Sequence, residues 1–314
     1  MDNEIPVQVP WVTVTGFGSH IRSTQSQLQI QKGGRVQALP LSGVSHLLIV
    51  GGHHLHTSAV INLLKRGASL SFFDADGTPL GFLHPHGDRP DEQVRAAQAS
   101  APAHRYAVAI TTAAMRARLM RLEQLQEEKG DPLFYQGERE VLQQSLAEVE
   151  FLVKLDEIRR IATLTSDMYY EVISRTLPPE LGFRRRTRRP HQDPVNAMLS
   201  LGYAVLYSQC CLSLTGARLD PERGMLHEGA GGLVYDLMES LKPRMVDEVV
   251  FGMARATLSP DDYECSAPRC HLSEGTAHRL VQQLHASIGR DEIDAYAGRL
   301  LESVTTQHPF SAMV

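Results

Sequence analysis

The chain turns on Asp193-Pro194-Val195-Asn196-Ala197, an apolar stretch of helical length after it, the loop Gly224-Met225-Leu226-His227-Glu228, and the run Leu233-Val234-Tyr235-Asp236-Leu237-Met238-Glu239. Residues three apart on a helix share a side, so Asp236 and Glu239 can present two carboxylates together while Leu237 and Met238 turn toward packing partners. His227 sits in a connection carrying Gly224, Gly229, Gly231 and Gly232, which lets the backbone fold the imidazole over the helix start. Carboxylates with one imidazole suit Mg²⁺ or Mn²⁺ better than a thiolate-seeking metal. The same spacing also describes the solvated face of an amphipathic helix with His227 as a capping residue, and spacing alone leaves both readings open.

Just ahead lies a basic run, Arg184-Arg185-Arg186-Thr187-Arg188-Arg189, with five arginines in six residues. Guanidinium forks take phosphate oxygens bidentately and hold a nucleic-acid backbone without reading its sequence. An acidic site would otherwise repel DNA, so the run has a functional logic there; as an isolated loop it would serve equally as a solvated one. A hydrolase of small phosphate compounds is a further reading, which the arginines do not favour over DNA.

Taken in order, Asp193 to Ala197, Gly202-Tyr203-Ala204, Leu219-Asp220-Pro221, Gly224 to His227 and Leu233 to Glu239 resemble the CRISPR-associated protein one family, the endonuclease and integrase of spacer acquisition. The resemblance reaches into the amino-terminal half, including Leu48-Ile49-Val50-Gly51-Gly52. It implies a metal-dependent DNA endonuclease and integrase, with His227 and Glu239 as ligands of Mg²⁺ or Mn²⁺ and Asp236 as an accessory acid. It also implies double-stranded DNA as substrate, a homodimer formed through the amino-terminal domain, and a small second CRISPR-associated adaptation protein as partner. Lys242 and Arg244 would extend the basic surface made by Arg184, Arg185, Arg186, Arg188 and Arg189. One position departs. The family's first metal-ligand glutamate, in Glu-Gly-x-Ala-Ala-x-x-Tyr, aligns with Ala162 in Ala162-Thr163-Leu164-Thr165-Ser166-Asp167-Met168-Tyr169. At about 100° per residue, Asp156, Glu157, Asp167 and Glu171 point away from position 162, whereas Thr165 and Ser166 share its face. A catalytically impaired homologue acting as a DNA-binding assembly protein is therefore the alternative.

The 314 residues allow two ordinary domains, and 42% hydrophobic content lets both bury a core. The expected fold is α+β, with a β-rich domain over 1–86 and an α-helical domain over 91–314. A net charge of -5 announces no global polyanion binder, so attraction to DNA must be local. Cys210, Cys211, Cys265 and Cys270 show no paired C-x-x-C spacing and read as reduced thiols of a cytoplasmic protein. No apolar run reads as a membrane span, and residues 1–10 lack a signal-peptide charge pattern.

Short β-branched or aliphatic runs predict strands at Trp11–Thr15, Gln27–Gln31, Arg35–Leu39, Leu47–Val50, Leu70–Phe73 and Leu80–Leu83, with a helix at Ser58–Arg66 capped by Thr57. Asp74 to Gly77 reads as a turn rather than a calcium loop, His53-His54-Leu55-His56 as a turn rather than a metal cluster, and Gly16-Phe17-Gly18 as too short for a phosphate cradle. His84 to Pro90 marks the boundary. Helical periods follow at Asp91–Ala99, Arg105–Glu127, Glu138–Val153, Leu155–Thr176, Val195–Ser213, Thr276–Ile288 and Asp291–Val304, with a loop over Leu258–Ser273 and a frayed or partner-ordered tail from Thr305. Arg116, Arg118 and Arg121 read as a solvated helix face, and Tyr169 and Tyr170 as packing residues at the site rim.

Overall fold

The computed structural model describes residues 10–74, 79–86, 90–130, 132–188, 190–256, 258–266 and 269–314. Its elements are β1 (Trp11–Thr15), β2 (His20–Ser23), β3 (Gln27–Lys32), β4 (Arg35–Pro40), β5 (His46–Val50), β6 (His54–Leu55), α1 (Thr57–Leu64), β7 (Ser69–Phe73), β8 (Pro79–Leu83), α2 (Pro90–Ser100), α3 (Ala103–Lys129) and α4 (Glu138–Glu148). There follow α5 (Leu155–Ser174), α6 (Pro194–Gly216), α7 (Gly232–Lys242), α8 (Glu248–Ala256), β9 (Tyr263–Ser266), β10 (Arg269–Leu272), α9 (Glu274–Ser287) and α10 (Arg290–Thr306). Strands first and helices after make the α+β class expected.

The chain divides into two compact units assembled from separate segments. The first comprises Met1–Ala101, Ser208–Pro221 and Asp291–His308. Its two four-stranded sheets run β1-β5-β7-β8 and β4-β3-β2-β6. β5 pairs in parallel with β1 and β7, and every one of its residues is buried, as a strand covered on both faces requires. Ile21, Leu28, Ile30, Leu47, Ile49 and Leu63 belong to one core cluster drawn from both sheets and α1. The helical segments of this unit are pinned to it by polar bonds: Gln98 donates to the Asp220 carbonyl at 3.0 Å, and Ser213 donates to Asp294 at 2.5 Å. A side chain at Gly216 would stand 2.7 Å from the Trp11 ring, so this close approach needs glycine.

The second unit, Pro102–Tyr207, Glu222–Arg290 and Pro309–Val314, is mostly helical, with α3 packed on both α5 and α7. Between α7 and α8 the chain forms a π-helical segment, Pro243–Asp247, in which Met245, Val246 and Asp247 all turn inward. Such segments are rare and recur at functional sites.

Several expectations change. β2 and β6 were not foreseen, because the first has Ile21 as its one aliphatic residue and the second is only two residues long. The α1 cap is His56, whose Nδ1 accepts from Ser58 N–H at 3.1 Å, rather than Thr57. Instead of a loop over Leu258–Ser273 there is a hairpin, and its register sets Cys265 opposite Cys270, where they form a disulfide instead of the expected reduced thiols. Cys210 and Cys211 are buried and unbonded to sulfur. α6 is long and apolar enough to cross a membrane by length and composition, against the expectation of no such run, and half of its apolar window is buried inside the protein. Phe310 of the tail packs on Tyr106 with ring centroids 5.4 Å apart, so this part of the tail is docked. The turn at Ala75 to Gly77, residues 87–89 of the expected boundary and residues 1–9 lie outside the described residues.

Candidate active site

α7 carries the carboxylates. Its entry is a tight loop: a Cβ at Gly224 would stand 2.2 Å from the His227 carbonyl oxygen, and one at Gly231 would stand 2.2 Å from the Tyr207 hydroxyl. Only glycine fits at both places, and Gly231 N–H is further held by Glu222 at 2.8 Å.

Asp236, 1% exposed, organises the loop. Its Oδ2 accepts the backbone N–H groups of Met225 and Leu226 at 2.5 and 3.1 Å. Its Oδ1 accepts the backbone N–H of His227 at 2.9 Å and stands 2.8 Å from Nδ1 of that imidazole. An ionised carboxylate only accepts, so Nδ1 is the donor in this bond and the other ring nitrogen, Nε2, is turned toward Glu239. Asp236 thus spends both oxygens on positioning His227 and the loop backbone.

Nε2 of His227 lies 3.9 Å from Oε1 of Glu239. Glu239 is itself claimed by two cations. Arg118 of α3 donates to Oε2 at 2.5 Å, and Lys242, one turn further along α7, donates to Oε1. Burial alone would raise the Glu239 carboxyl, but Lys242, Arg118 and His227 outweigh it and hold the group at about 2. Arg118 and Arg121, read from sequence as a solvated face, are each 6% exposed. That reading fails for Arg118 because its partner, Glu239, is remote in sequence, whereas Arg121 is buried while pairing with the nearby Glu128 at 3.3 Å and with the remote Glu248 at 3.9 Å. Arg116 does remain half exposed.

Ala162 lies on α5, half-buried, one turn beyond Arg159. Arg159 donates to the Leu226 carbonyl at 2.7 Å and pairs with Glu228 at 2.8 Å, which brings this face of α5 to the His227 loop. Thr165, on the Ala162 face, turns its hydroxyl to the Ile161 carbonyl at 2.9 Å. Its hydroxyl is thus spent on the backbone of its own helix.

Of the basic residues, Arg184, Arg185, Arg188 and Arg244 are exposed, Lys242 is half-buried, and Arg189 lies outside the described residues. Arg186 is turned inward: its guanidinium donates to Asn196 Oδ1 and to Ser200 Oγ, both at 2.7 Å. Asn196 accepts its bond from Thr187 N–H at 3.0 Å, donates to the Arg185 carbonyl at 2.9 Å, and is capped by Asp193 at 2.7 Å. The Asp-Pro-Val-Asn motif is thus a clamp on the arginine stretch. Tyr169 and Tyr170, expected as packing residues, join Tyr203 and Asp247 in a chain of hydrogen bonds, of which Tyr203 is half-buried and the others buried.

The fit to a divalent ion is incomplete. His227 Nε2 and Glu239 Oε1 are close enough to share one ion. Position 162, which the resemblance offers as a further donor, is alanine, both Glu239 oxygens already hold cations, and among the described residues no group of three His, Cys, Asp or Glu is arranged to hold a metal ion. His53 and His56 are likewise spent on backbone groups, Val50 and Ser19 for the first and Ser58 for the second.

The structure combines a strand-rich start, a mostly helical remainder and an acid–imidazole cluster formed by the seventh helix and the loop that precedes it. The family model described as CRISPR associated protein Cas1 matches residues 12–286, and the chain belongs to that family. It is 35% identical over 297 residues to a CRISPR-associated Cas1 protein of Methanospirillum hungatei, covering 94% of this chain and 98% of that one. It is 32% identical to a CRISPR-associated endonuclease Cas1 of Thermus thermophilus, over 94% of this chain and 88% of the relative. Its fold matches a casposase bound to integration product with TM-score 0.78 at 18% identity, over 96% and 98% of the two chains. It matches a chain of a partial Cas6-RT-Cas1–Cas2 complex with TM-score 0.77 at 20% identity, over 97% and 98%.

Proposed function

We propose that this chain is a spacer-acquisition integrase that joins short double-stranded DNA into a CRISPR array. It would work in the cytoplasm as a homodimer, through an amino-terminal strand-rich part, with a small second adaptation protein. The observation that supports this most is the convergence of His227, Asp236 and Glu239 with the buried Arg118 and half-buried Lys242 in a chain matching the Cas1 family over residues 12–286.

In strand transfer a DNA 3′-hydroxyl attacks phosphorus, a new P–O bond forms, and the bond to the departing 3′-oxygen breaks. His227 Nε2 carries the lone pair that takes the proton of the attacking hydroxyl, and solvent returns one to the departing oxygen. Arg118 and Lys242 supply positive charge where the phosphoryl oxygens gain negative charge. Arg184, Arg185, Arg188, Arg189 and Arg244 hold the backbone, while Arg186 anchors their stretch. Mg²⁺ or Mn²⁺, the ions that suit such donors, would be held here by His227 and Glu239 and would supply positive charge to the phosphoryl oxygens.

Ala162 favours a second reading, in which the chain binds DNA and assembles the complex without performing the chemistry. One gel assay of strand transfer from a labelled short duplex, run with Mn²⁺, separates the two. Under the first reading the unaltered chain transfers strands and His227→Ala loses the activity. Under the second only Ala162→Glu transfers them. Activity unchanged in His227→Ala would remove that residue from the site.

A further inference from the structure

The hydrogen-bonded tyrosines are not used by the chemistry above, yet they connect its parts. Asp247, at the inner end of the π-helical segment, is 1% exposed. It accepts from Tyr203 at 2.5 Å and from Tyr169 at 2.9 Å, and Tyr203 in turn shares a 2.6 Å bond with Tyr170. The Tyr203 ring then meets two cations from different elements: the Arg186 guanidinium carbon and the Lys242 ammonium each stand 5.4 Å from its centroid. Both distances lie within cation–π range.

Arg186 roots the arginine stretch through Asn196 and Ser200, and Lys242 holds Glu239. Tyr203 is thus a single side chain touching both the basic stretch and the acid–imidazole cluster. We infer that Tyr203, tethered by Asp247, is a positioning residue that sets the arginine stretch in register with Lys242, so that one DNA strand meets both sets of cations. This rests on the integrase reading and adds the device that aligns its DNA track.

The placement of Asp247 argues for selection of geometry over stability. Burial pushes its carboxyl up to about 6, although Tyr203, Tyr169, Lys242 and Arg118 all favour the charged form. At neutral pH a carboxylate is therefore kept ionised in the interior, where an apolar side chain would cost less. A charged acceptor holds two phenol hydroxyls more firmly than a neutral one does.

The test is binding of a short double-stranded DNA, followed by fluorescence anisotropy over a series of salt concentrations, with a melting temperature for each variant. Lys242→Ala should lower the slope of log affinity against log salt by about 1, the signature of one lost phosphate contact. Tyr203→Leu should lower it by at least as much. Tyr203→Phe and Asp247→Asn, which cut the tether and keep the ring, should weaken binding alike, by about threefold to tenfold, and should not add to one another. In the Lys242→Ala background Tyr203→Leu should show a smaller effect than alone. A purely structural tyrosine would lower the melting temperature and leave the salt slope as it was, and that result overturns the inference, as does an unchanged slope in Lys242→Ala. Should Tyr203→Leu not fold, Tyr203→Phe and Asp247→Asn carry the decision. Absence of salt-dependent binding by the unaltered chain would instead strike the integrase reading, and this inference with it.

Discussion

Glu239 shows how single groups set the character of the site. Its carboxylate is buried, yet two cations keep it ionised to about pH 2, against 4.5 for the free side chain. A depressed acid contributes stability that is complete above 4.5 and lost as pH falls through about 2. Arg118→Met leaves the carboxylate with Lys242 alone and should destabilise the protein by about 3 kcal/mol, the typical cost of breaking a buried pair. It should also flatten the acid limb of a thermal-stability profile below about pH 4.5, because the folded-state carboxyl then lies nearer its free value and less stability is lost on protonation. A profile superimposed on that of the unaltered chain would show that Arg118 does not bear on Glu239. At this scale spacing offered the acids and the imidazole as one of two readings and the family resemblance singled them out, whereas Arg118 was not legible: its partner lies 121 positions along the chain, and sequence shows charge but not who answers it. Tyr203 was hidden for the same reason, since its importance comes from three neighbours on separate elements.

Among the elements, β5 combines a fully buried strand with a titratable side chain. His46 is 2% exposed, and its Nε2 lies 2.8 Å from Ser71 Oγ on the neighbouring β7. Burial, followed by the charge of Arg218, lowers its pKa from 6.5 to about 4. Its contribution to stability is present above 6.5 and is lost as pH falls through about 4, and the shift corresponds to about 3 kcal/mol. Unfolding followed between pH 7 and 4 should show this loss in the unaltered chain and a flatter profile in His46→Leu; equal profiles would contradict the assignment. Most elements were readable in the sequence, because strands such as Trp11–Thr15 and helices such as Leu155–Ser174 carry their own alternation or period. What escaped lacks a local signal. The hairpin of β9 and β10 is masked by acids and prolines, and nothing in Pro243–Asp247 distinguishes a π-helical segment from a helix end.

For the whole molecule, the boundary that prolines and glycines suggested near residue 86 falls inside the first unit, which runs to Ala101 and takes back later segments of the chain. Such returns depend on long-range contacts like Gly216 against Trp11, which no local pattern announces. The net charge of -5 is likewise a poor guide to partners, because the cations that matter are gathered at one cluster and one stretch. We propose a Cas1-type site lacking one donor at Ala162, with protein cations already answering Glu239. Calorimetric titration with Mn²⁺ tests it most directly. The unaltered chain should show no saturable binding at concentrations where Ala162→Glu binds one ion per chain, and His227→Ala in that background should abolish the gain. Binding to the unaltered chain as tight as to Ala162→Glu, lost in His227→Ala, would contradict the account.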